Sequence, residues 1–173
     1  MRKFIIITLL ILLTTLSACD PTKNKERIFM VGEGQDTVEI NTAWEDAGAW
    51  LEYGNMVVDT EKNGTVDTSV LGLYEIEYTL THEDISYSEV RYVIVVDQTP
   101  PVITLNLGLD TIKLGESWTD AGAIASDNSG ETLTITVGGT VNISILGEYQ
   151  ITYSVGDSSG NIQVKTRYVN IIE

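Results

Sequence analysis

A six-residue phrase occurs twice in this chain, and its spacing constrains the fold more than any other feature. Residues 44–49 read WEDAGA and residues 118–123 read WTDAGA, 74 residues apart. This interval is far longer than a helical heptad or a short solenoid repeat, and it matches the length of a small domain. The phrase therefore predicts two copies of one domain.

Other landmarks recur at nearly the same interval. GQDTV at 34–38 matches GLDTI at 108–112, LGLYEIEY at 71–78 matches LGEYQITY at 146–153, and RYV at 91–93 matches RYV at 167–169. The interval grows by one residue twice, each time across a polar stretch where a loop insertion is tolerated. We therefore predict a tandem duplication.

The seam between the copies lies at 97–101, which reads DQTPP. Two consecutive prolines fix their φ angles and bias the preceding threonine toward extended geometry, so we expect a short and stiff junction. The predicted domains cover residues 28–97 and 98–173.

The N-terminal segment has the features of an export signal. A basic start at Arg2 and Lys3 precedes an apolar run over 4–13, and 16–19 reads LSAC. The apolar run is too short to span a bilayer and suits a signal peptide over 1–18. LSAC resembles the lipobox of bacterial lipoproteins, which implies cleavage before Cys19 and diacylglycerol attachment to its sulfur; an ordinary signal peptide with an incidental cysteine is the alternative.

Cys19 is the only cysteine in the chain, so no internal disulfide forms. The predicted arrangement is a lipidated Cys19, a polar tether over 19–27, and a protein anchored to the outer face of the cytoplasmic membrane or cell envelope. The formal net charge of −15 repels phosphate backbones, which argues against a nucleic-acid partner. The same charge would attract divalent cations or a basic surface, or it is a solvated coat with no specific ligand.

The periodicity within each copy is that of β-strands. Apolar and polar residues alternate over 74–80 and 149–155, and a turn at 157–161 precedes another alternating run over 162–168. Short β-branched runs bounded by turn residues add further strands, at 102–107, 111–114 and 133–137. No convincing helical stripe follows Cys19, so we predict an all-β protein of two tandem antiparallel β-sandwiches.

The segments around Tyr74 and Tyr149 resemble the tyrosine corner of immunoglobulin (Ig) domains, with Ile76 and Ile151 at the position of the second cysteine. The chain as a whole resembles the bacterial surface Ig-like family, which recurs in exported proteins and some insecticidal crystal proteins. The phrases that carry this resemblance are TPPVITL at 99–105, WTDAGA at 118–123, LGEYQITY at 146–153 and DSSGN at 157–161. The first copy departs from the pattern, since it lacks the TPP opening and reads THEDIS at 81–86. The resemblance implies Ig-like sandwiches at the cell surface and no common catalytic activity.

The duplicated phrase is best explained as scaffold. We expect Trp44 and Trp118 to fill the core of their own copies, because a large aromatic ring buries much area in a small domain without a disulfide. Asp46 and Asp120, with the small residues after them, are expected to form a bend that admits close backbone approach.

Few residues suggest chemistry, and we expect no catalytic residue, no metal and no cofactor. His82 is the sole histidine and is placed at a solvated hairpin tip. Calcium remains an alternative in the second copy, where oxygen-bearing residues lie near bends, although turn formation is the commoner reason for such residues. That set is Asp120, Asp127, Asn128, Asp157 and Asn161.

The sequence favours a non-enzymatic surface lipoprotein whose two modules act as spacer, adhesion or ligand-presenting domains. The alternative is a polysaccharide- or protein-binding accessory subunit of an exported enzyme or surface complex. Trp50, Tyr53 and Tyr87 of the first copy would form its aromatic platform, unless they pack in the core. The expected partners are the membrane, through the N-terminal lipid, and an extracellular protein or glycan.

Overall fold

The computed structural model describes residues 27–30, 34–53, 56–82 and 84–173, and these contain thirteen β-strands and no helix. The all-β prediction is confirmed. Within this part of the chain, no helix has the length and apolar character needed to cross a bilayer.

Strands β1 to β7, here called the first module, form two sheets. A three-stranded antiparallel sheet has the order β1-β3-β4, and a four-stranded sheet has the order β2-β7-β6-β5. The strands are β1 Arg27–Met30, β2 Gln35–Glu39, β3 Ala49–Tyr53, β4 Met56–Asp59, β5 Glu61–Asn63, β6 Gly72–His82 and β7 Ile85–Val96.

Strands β8 to β13, the second module, repeat this plan with one strand fewer. The smaller sheet is the pair β10-β8, and the larger has the order β11-β12-β13-β9. The strands are β8 Val102–Leu105, β9 Thr111–Lys113, β10 Ala123–Ser126, β11 Thr136–Gly138, β12 Gly147–Gly156 and β13 Ile162–Ile172. No strand pair described in the structure joins one module to the other.

One feature differs from the antiparallel prediction. β2 pairs with β7 in parallel, and β9 pairs with β13 in parallel at the equivalent place. A hairpin connection imposes antiparallel pairing, but these partners are far apart in the chain and no hairpin joins them. Each larger sheet is therefore mixed, and the same parallel pair marks both modules as copies of one topology.

The sheets of the second module pack face to face as a sandwich. Ile103 of β8 contacts Ile151, Tyr153 and Val155 of β12 across the core, and Ala123 and Ala125 of β10 pack against them. Ile112 of β9 forms a second cluster with buried residues of β13. The alternation predicted over 149–155 thus buries the expected face.

Both tyrosine corners are present. The Tyr74 hydroxyl donates to the carbonyl of Val70 at 2.8 Å, and the Tyr149 hydroxyl donates to the carbonyl of Ile145 at 3.0 Å. Ile76 and Ile151, at the position that a cysteine takes in disulfide-bonded Ig domains, are buried. At this position, apolar packing therefore takes the place of the disulfide.

In β13, the face with the regular apolar alternation over 162–168 is turned to solvent, and the buried residues lie on the other face. Ile162, Val164 and Tyr168 are exposed, whereas Arg167 and Val169 are buried. Because side chains of a strand alternate between its two faces, the strand cannot bury both sets. The set with Arg167 faces inward because the carboxylates of Asp110 and Asp120 neutralise its guanidinium there, as described below.

Trp118 packs between the two core clusters of the second module, in agreement with the predicted core role, although its ring stays partly accessible. Its indole N–H donates to the carbonyl of Leu109 at 2.9 Å. The ring therefore bridges the two clusters.

We predict that Trp118→Ala lowers the free energy of unfolding of the second module by about 3 kcal/mol, because it leaves a cavity between two clusters. Thermal unfolding of the full chain measures the loss. Leu109→Ala is the control, since that exposed side chain should cost less than about 0.5 kcal/mol. Equal melting temperatures for the two variants would contradict the core role of Trp118.

Candidate functional site

A buried arginine occupies the same position in each module. Arg91 of β7 is 2% exposed and Arg167 of β13 is 3% exposed. A charge removed from water is tolerated only where opposite charges and hydrogen-bond acceptors surround it. Each guanidinium therefore identifies the polar network of its module.

The two arginines have equivalent partners. Arg91 pairs with Asp36 at 3.3 Å and donates to the carbonyl of Gly48 at 3.1 Å. Arg167 pairs with Asp110 at 2.8 Å and donates to the carbonyl of Gly122 at 3.2 Å. Asp36 and Asp110 lie 74 residues apart, as do the glycines, so the same network recurs at the interval of the repeated phrase.

The aspartate of WxDAGA completes each network. Asp46 accepts a hydrogen bond from the Tyr78 hydroxyl and one from the Gly48 backbone at 3.0 Å. In the second module, Asp120 accepts from Tyr153 and from Gly122. These bonds confirm the predicted bend at the phrase.

The bend requires glycine. Gly48 has φ +81° and Gly122 has φ +74°, in the left-handed region that side chains other than glycine's rarely adopt. The glycine thus turns its carbonyl toward the arginine while its N–H binds the aspartate.

The tyrosine is held in its neutral form by this environment. Burial raises the pKa of Tyr78 to about 12, and the hydrogen bond to Asp46 adds to the rise. Burial also acts on Asp46, but the hydrogen bonds from Tyr78, Gly48 and Lys62 outweigh it and lower the pKa of that carboxyl. A neutral phenol that donates to an ionised carboxylate is a structural pair, and in the second module the Tyr153 hydroxyl donates to Asp120 at the equivalent place.

The indole groups of the repeated phrase bind different acceptors. Trp44 donates to Asp36 at 2.9 Å, whereas Trp118 donates to a backbone carbonyl. Trp44 is partly buried and so joins the polar network at its edge. The predicted core packing is observed for Trp118, whereas Trp44 is observed in the polar network. The sequence predicted the bend but not the network, whose only signal was the joint recurrence of Asp36 with Asp110 and of Arg91 with Arg167.

Trp50 and Tyr87 of the predicted aromatic platform lie in different sheets of the first module. Trp50 of β3 stacks on Phe29 of β1, with ring centroids 6.4 Å apart, and Tyr87 lies on β7 in the other sheet. The side chain of Tyr53 is outside the described part of the structure. His82 pairs with Ile85 at the closed end of the β6–β7 hairpin, as predicted, but its side chain is partly buried and not solvated as expected.

A second polar cluster lies where the modules meet. One carboxylate oxygen from each of Asp97, Asp127 and Asp157 lies within 4.8 Å of the other two. Asp97 follows β7, Asp127 follows β10, and Asp157 begins the turn between β12 and β13. We call these three residues the junction cluster.

The two aspartates of the second module are oriented by tight turns. Oδ1 of Asp127 accepts from the backbone N–H and the hydroxyl of Ser129, at 2.9 and 2.7 Å. Oδ1 of Asp157 accepts from the Asn161 backbone at 2.7 Å, and its Oδ2 accepts from the Asn161 amide at 2.8 Å. These hydrogen bonds fix the positions of both carboxylates.

Asp97 is bound to the second module. Its Oδ2 accepts from the Ser159 hydroxyl at 3.1 Å, and its carbonyl accepts from the Asn161 amide at 3.2 Å. Burial raises the pKa of Asp97, and the negative charges of Asp127 and Asp157 add to the rise. Ionised together, the three carboxylates repel one another.

Glu39, at the end of β2, holds the linker from the other side. Its carboxylate accepts from the backbone N–H groups of Gln98 and Thr99, each at 3.1 Å, and from the Asn128 amide at 2.9 Å. The Asn41 amide in turn donates to the carbonyl of Asn128 at 2.9 Å. The junction is therefore hydrogen-bonded as well as stiffened by prolines.

The oxygen-bearing residues that the sequence singled out divide between two places. Asp127, Asn128, Asp157 and Asn161 lie at the junction, whereas Asp120 belongs to the arginine network. The sequence missed Asp97 as a member, although its place beside the two prolines of the seam was a signal. Cys19, the predicted lipid attachment site, lies outside the described residues.

Comparison with known proteins finds a family match for the second module. Residues 109–171 match the family described as bacterial surface protein, Ig-like domain. This part of the chain is therefore similar to a bacterial surface Ig-like domain. The matched segment runs from just before β9 to residue 171 in β13, and it contains Arg167 with Asp110 and Asp120.

Among solved structures, the chain is similar to a lipoprotein of Bacteroides thetaiotaomicron. The two are 12% identical, with a TM-score of 0.40, and the match covers 82% of this chain and 79% of that one. No curated protein matches the chain.

We predict that Tyr78→Phe destabilises the first module at neutral pH by about 1.5–3 kcal/mol, because Asp46 loses a charge-assisted hydrogen bond. A phenol whose pKa is raised by folding stabilises the fold fully below about pH 10, and this contribution is lost as pH rises toward about 12. The gap between wild type and variant should therefore shrink above about pH 10.

Urea unfolding at several pH values measures the gap. Tyr92→Phe, at an exposed position of the neighbouring strand, is the matched control and should unfold like the wild type near neutral pH. A Tyr78→Phe gap that is constant from about pH 8 to about pH 11 would contradict the prediction.

Proposed function

We propose that this chain is a non-enzymatic, lipid-anchored protein of the bacterial cell surface whose two modules act in series as a spacer and presenting domain. The proposal rests on one observation above all: two modules of the same strand topology follow each other across a linker that is hydrogen-bonded on both sides. Such an arrangement suits a spacer, because the hydrogen bonds on both sides of the linker hold the two modules in a fixed relation.

The placement of the polar networks supports a non-catalytic role. Each network is centred on a buried arginine and occurs once per module, as expected for scaffold, whereas an active site is usually unique within a chain. The match of residues 109–171 to a family of bacterial surface proteins supports the location.

The anchor is the part of the proposal that depends on sequence alone. Residues 1–18 would be removed, Cys19 would carry the lipid, and residues 19–27 would form the tether. Domains over 28–97 and 98–173 would then lie outside the membrane. Two or more acyl chains hold a protein stably on a bilayer, where one does not.

We predict that the wild-type chain incorporates a fatty-acid probe during growth and that Cys19→Ser abolishes the label, because the thioether to the lipid needs the cysteine sulfur. In-gel detection of the probe measures this. Asp20→Asn, which changes the neighbouring residue and keeps the sulfur, is the control and should retain the label. Label on Cys19→Ser would remove the anchor from the proposal.

One observation favours the alternative, an accessory subunit that binds a protein or a glycan. The outer face of β13 exposes the apolar side chains Ile162, Val164 and Tyr168, beside hydroxyl-bearing residues of β12. Exposed apolar side chains in a row, with an aromatic among them, are typical of binding surfaces.

For this alternative we predict that Val164→Glu lowers capture of an envelope protein or a glycan at least about tenfold, because it places a charge in the centre of an apolar face. Val102→Glu is the matched control, since Val102 is 59% exposed, Val164 is 55% exposed, and Val102 lies in the other sheet. Pull-down and glycan-array binding of the full chain measure capture. Equal capture by both variants would exclude this face.

A further inference from the structure

We propose that the junction cluster of Asp97, Asp127 and Asp157 binds one calcium ion, which fixes the second module to the end of β7. This inference goes beyond the spacer function, because it assigns a ligand and makes the rigidity of the spacer depend on it.

The geometry fits a single ion. The three carboxylate oxygens lie within 4.8 Å of one another. Calcium binds oxygen at about 2.3–2.6 Å, so oxygens on opposite sides of one ion are about 5 Å apart. The donors are carboxylates, the hard oxygen ligands that calcium prefers to nitrogen or sulfur.

A second observation points to a ligand at the same place. Oδ2 of Asp127 is buried, and the described part of the chain offers it no hydrogen-bond partner. Its other oxygen, Oδ1, accepts both hydrogen bonds from Ser129, so the turn leaves Oδ2 without a donor. A buried carboxylate oxygen without a partner is costly, and such an atom calls for an unseen ion or water.

The environment favours an ion over water. Asp97 is only 8% exposed, and two further carboxylates face it at close range. Water cannot neutralise three like charges in a partly buried site, whereas a divalent cation neutralises most of that charge. The bound ion would convert the repulsion within the junction cluster into attraction.

The ligands come from three separate segments, and this decides what binding would do. Asp97 belongs to the linker after β7, Asp127 to the turn after β10, and Asp157 to the β12–β13 turn. An ion shared by the three ties the last strand of the first module to two turns of the second. Without the ion, the modules would still be connected by the hydrogen bonds around Glu39, Asp97 and Asn128.

Direct binding tests the proposal. Titration calorimetry of the full chain in detergent, with about 150 mM sodium chloride to screen diffuse attraction, should give one calcium ion per chain. We expect a Kd of about 10⁻⁴ to 10⁻³ M, the range of extracellular calcium modules. Magnesium should bind at least about tenfold more weakly, because it requires shorter bonds in octahedral geometry.

Asp127→Asn should weaken calcium binding at least about tenfold. The matched control is Asp67→Asn, because Asp67 makes the same turn with the backbone and hydroxyl of Ser69, at 3.0 and 2.6 Å, on the surface of the first module. Asp67 is not part of any such carboxylate cluster in the described structure. The control should bind calcium like the wild type.

Asp97→Asn provides a second test that does not disturb the turns of the second module, since an asparagine oxygen can still accept from Ser159. This variant should melt like the wild type without calcium, and it should lose the rise in melting temperature that millimolar calcium gives the wild type. No binding by the wild type at about 10 mM calcium, far above the expected Kd, would overturn the proposal. Equal weakening by Asp67→Asn and Asp127→Asn would also overturn it, because binding would then be diffuse.

Discussion

A guanidinium in the interior of a small β-sandwich is the constraint on which this structure depends. Arg91 and Arg167 are almost completely buried, and an unpaired charge in such a place would cost about 3–5 kcal/mol or more. The surrounding chain therefore delivers a carboxylate from before β3 or β10, another from β2 or from just before β9, and carbonyls from the bend. The duplicated phrase is the part of this network that the sequence makes visible.

The network also explains the orientation of the strands that carry it. Once Arg167 faces inward, Val169 and Ile171 face inward with it, and the apolar residues at even positions of β13 face solvent. The exposed apolar face is thus a consequence of burying the arginine. The tyrosine corners and the buried isoleucines then stabilise the larger sheets where other Ig-like domains use a disulfide.

The carboxylates at the junction have different surroundings from those inside the modules. Inside each module, a carboxylate forms an ion pair with the buried arginine. At the junction, three aspartates lie close together, and the described residues give none of them a lysine or arginine partner. Hydrogen bonds from Ser159, Asn161 and Asn128 fix the linker on both sides. On the proposal made above, calcium bound at the junction cluster would stiffen the connection between the modules, and its loss would loosen that connection.

The sequence by itself determined the all-β class, the corner at Tyr74 and Tyr149 and the bend at WxDAGA, because these depend on local periodicity and on short contacts along the chain. The parallel pairs, the inward face of β13 and the meeting of Asp97 with Asp127 and Asp157 were decided by the tertiary structure alone. Each of these joins segments that lie far apart, and local alternation cannot say which of two faces a sheet buries when the buried one contains a charge that distant residues neutralise.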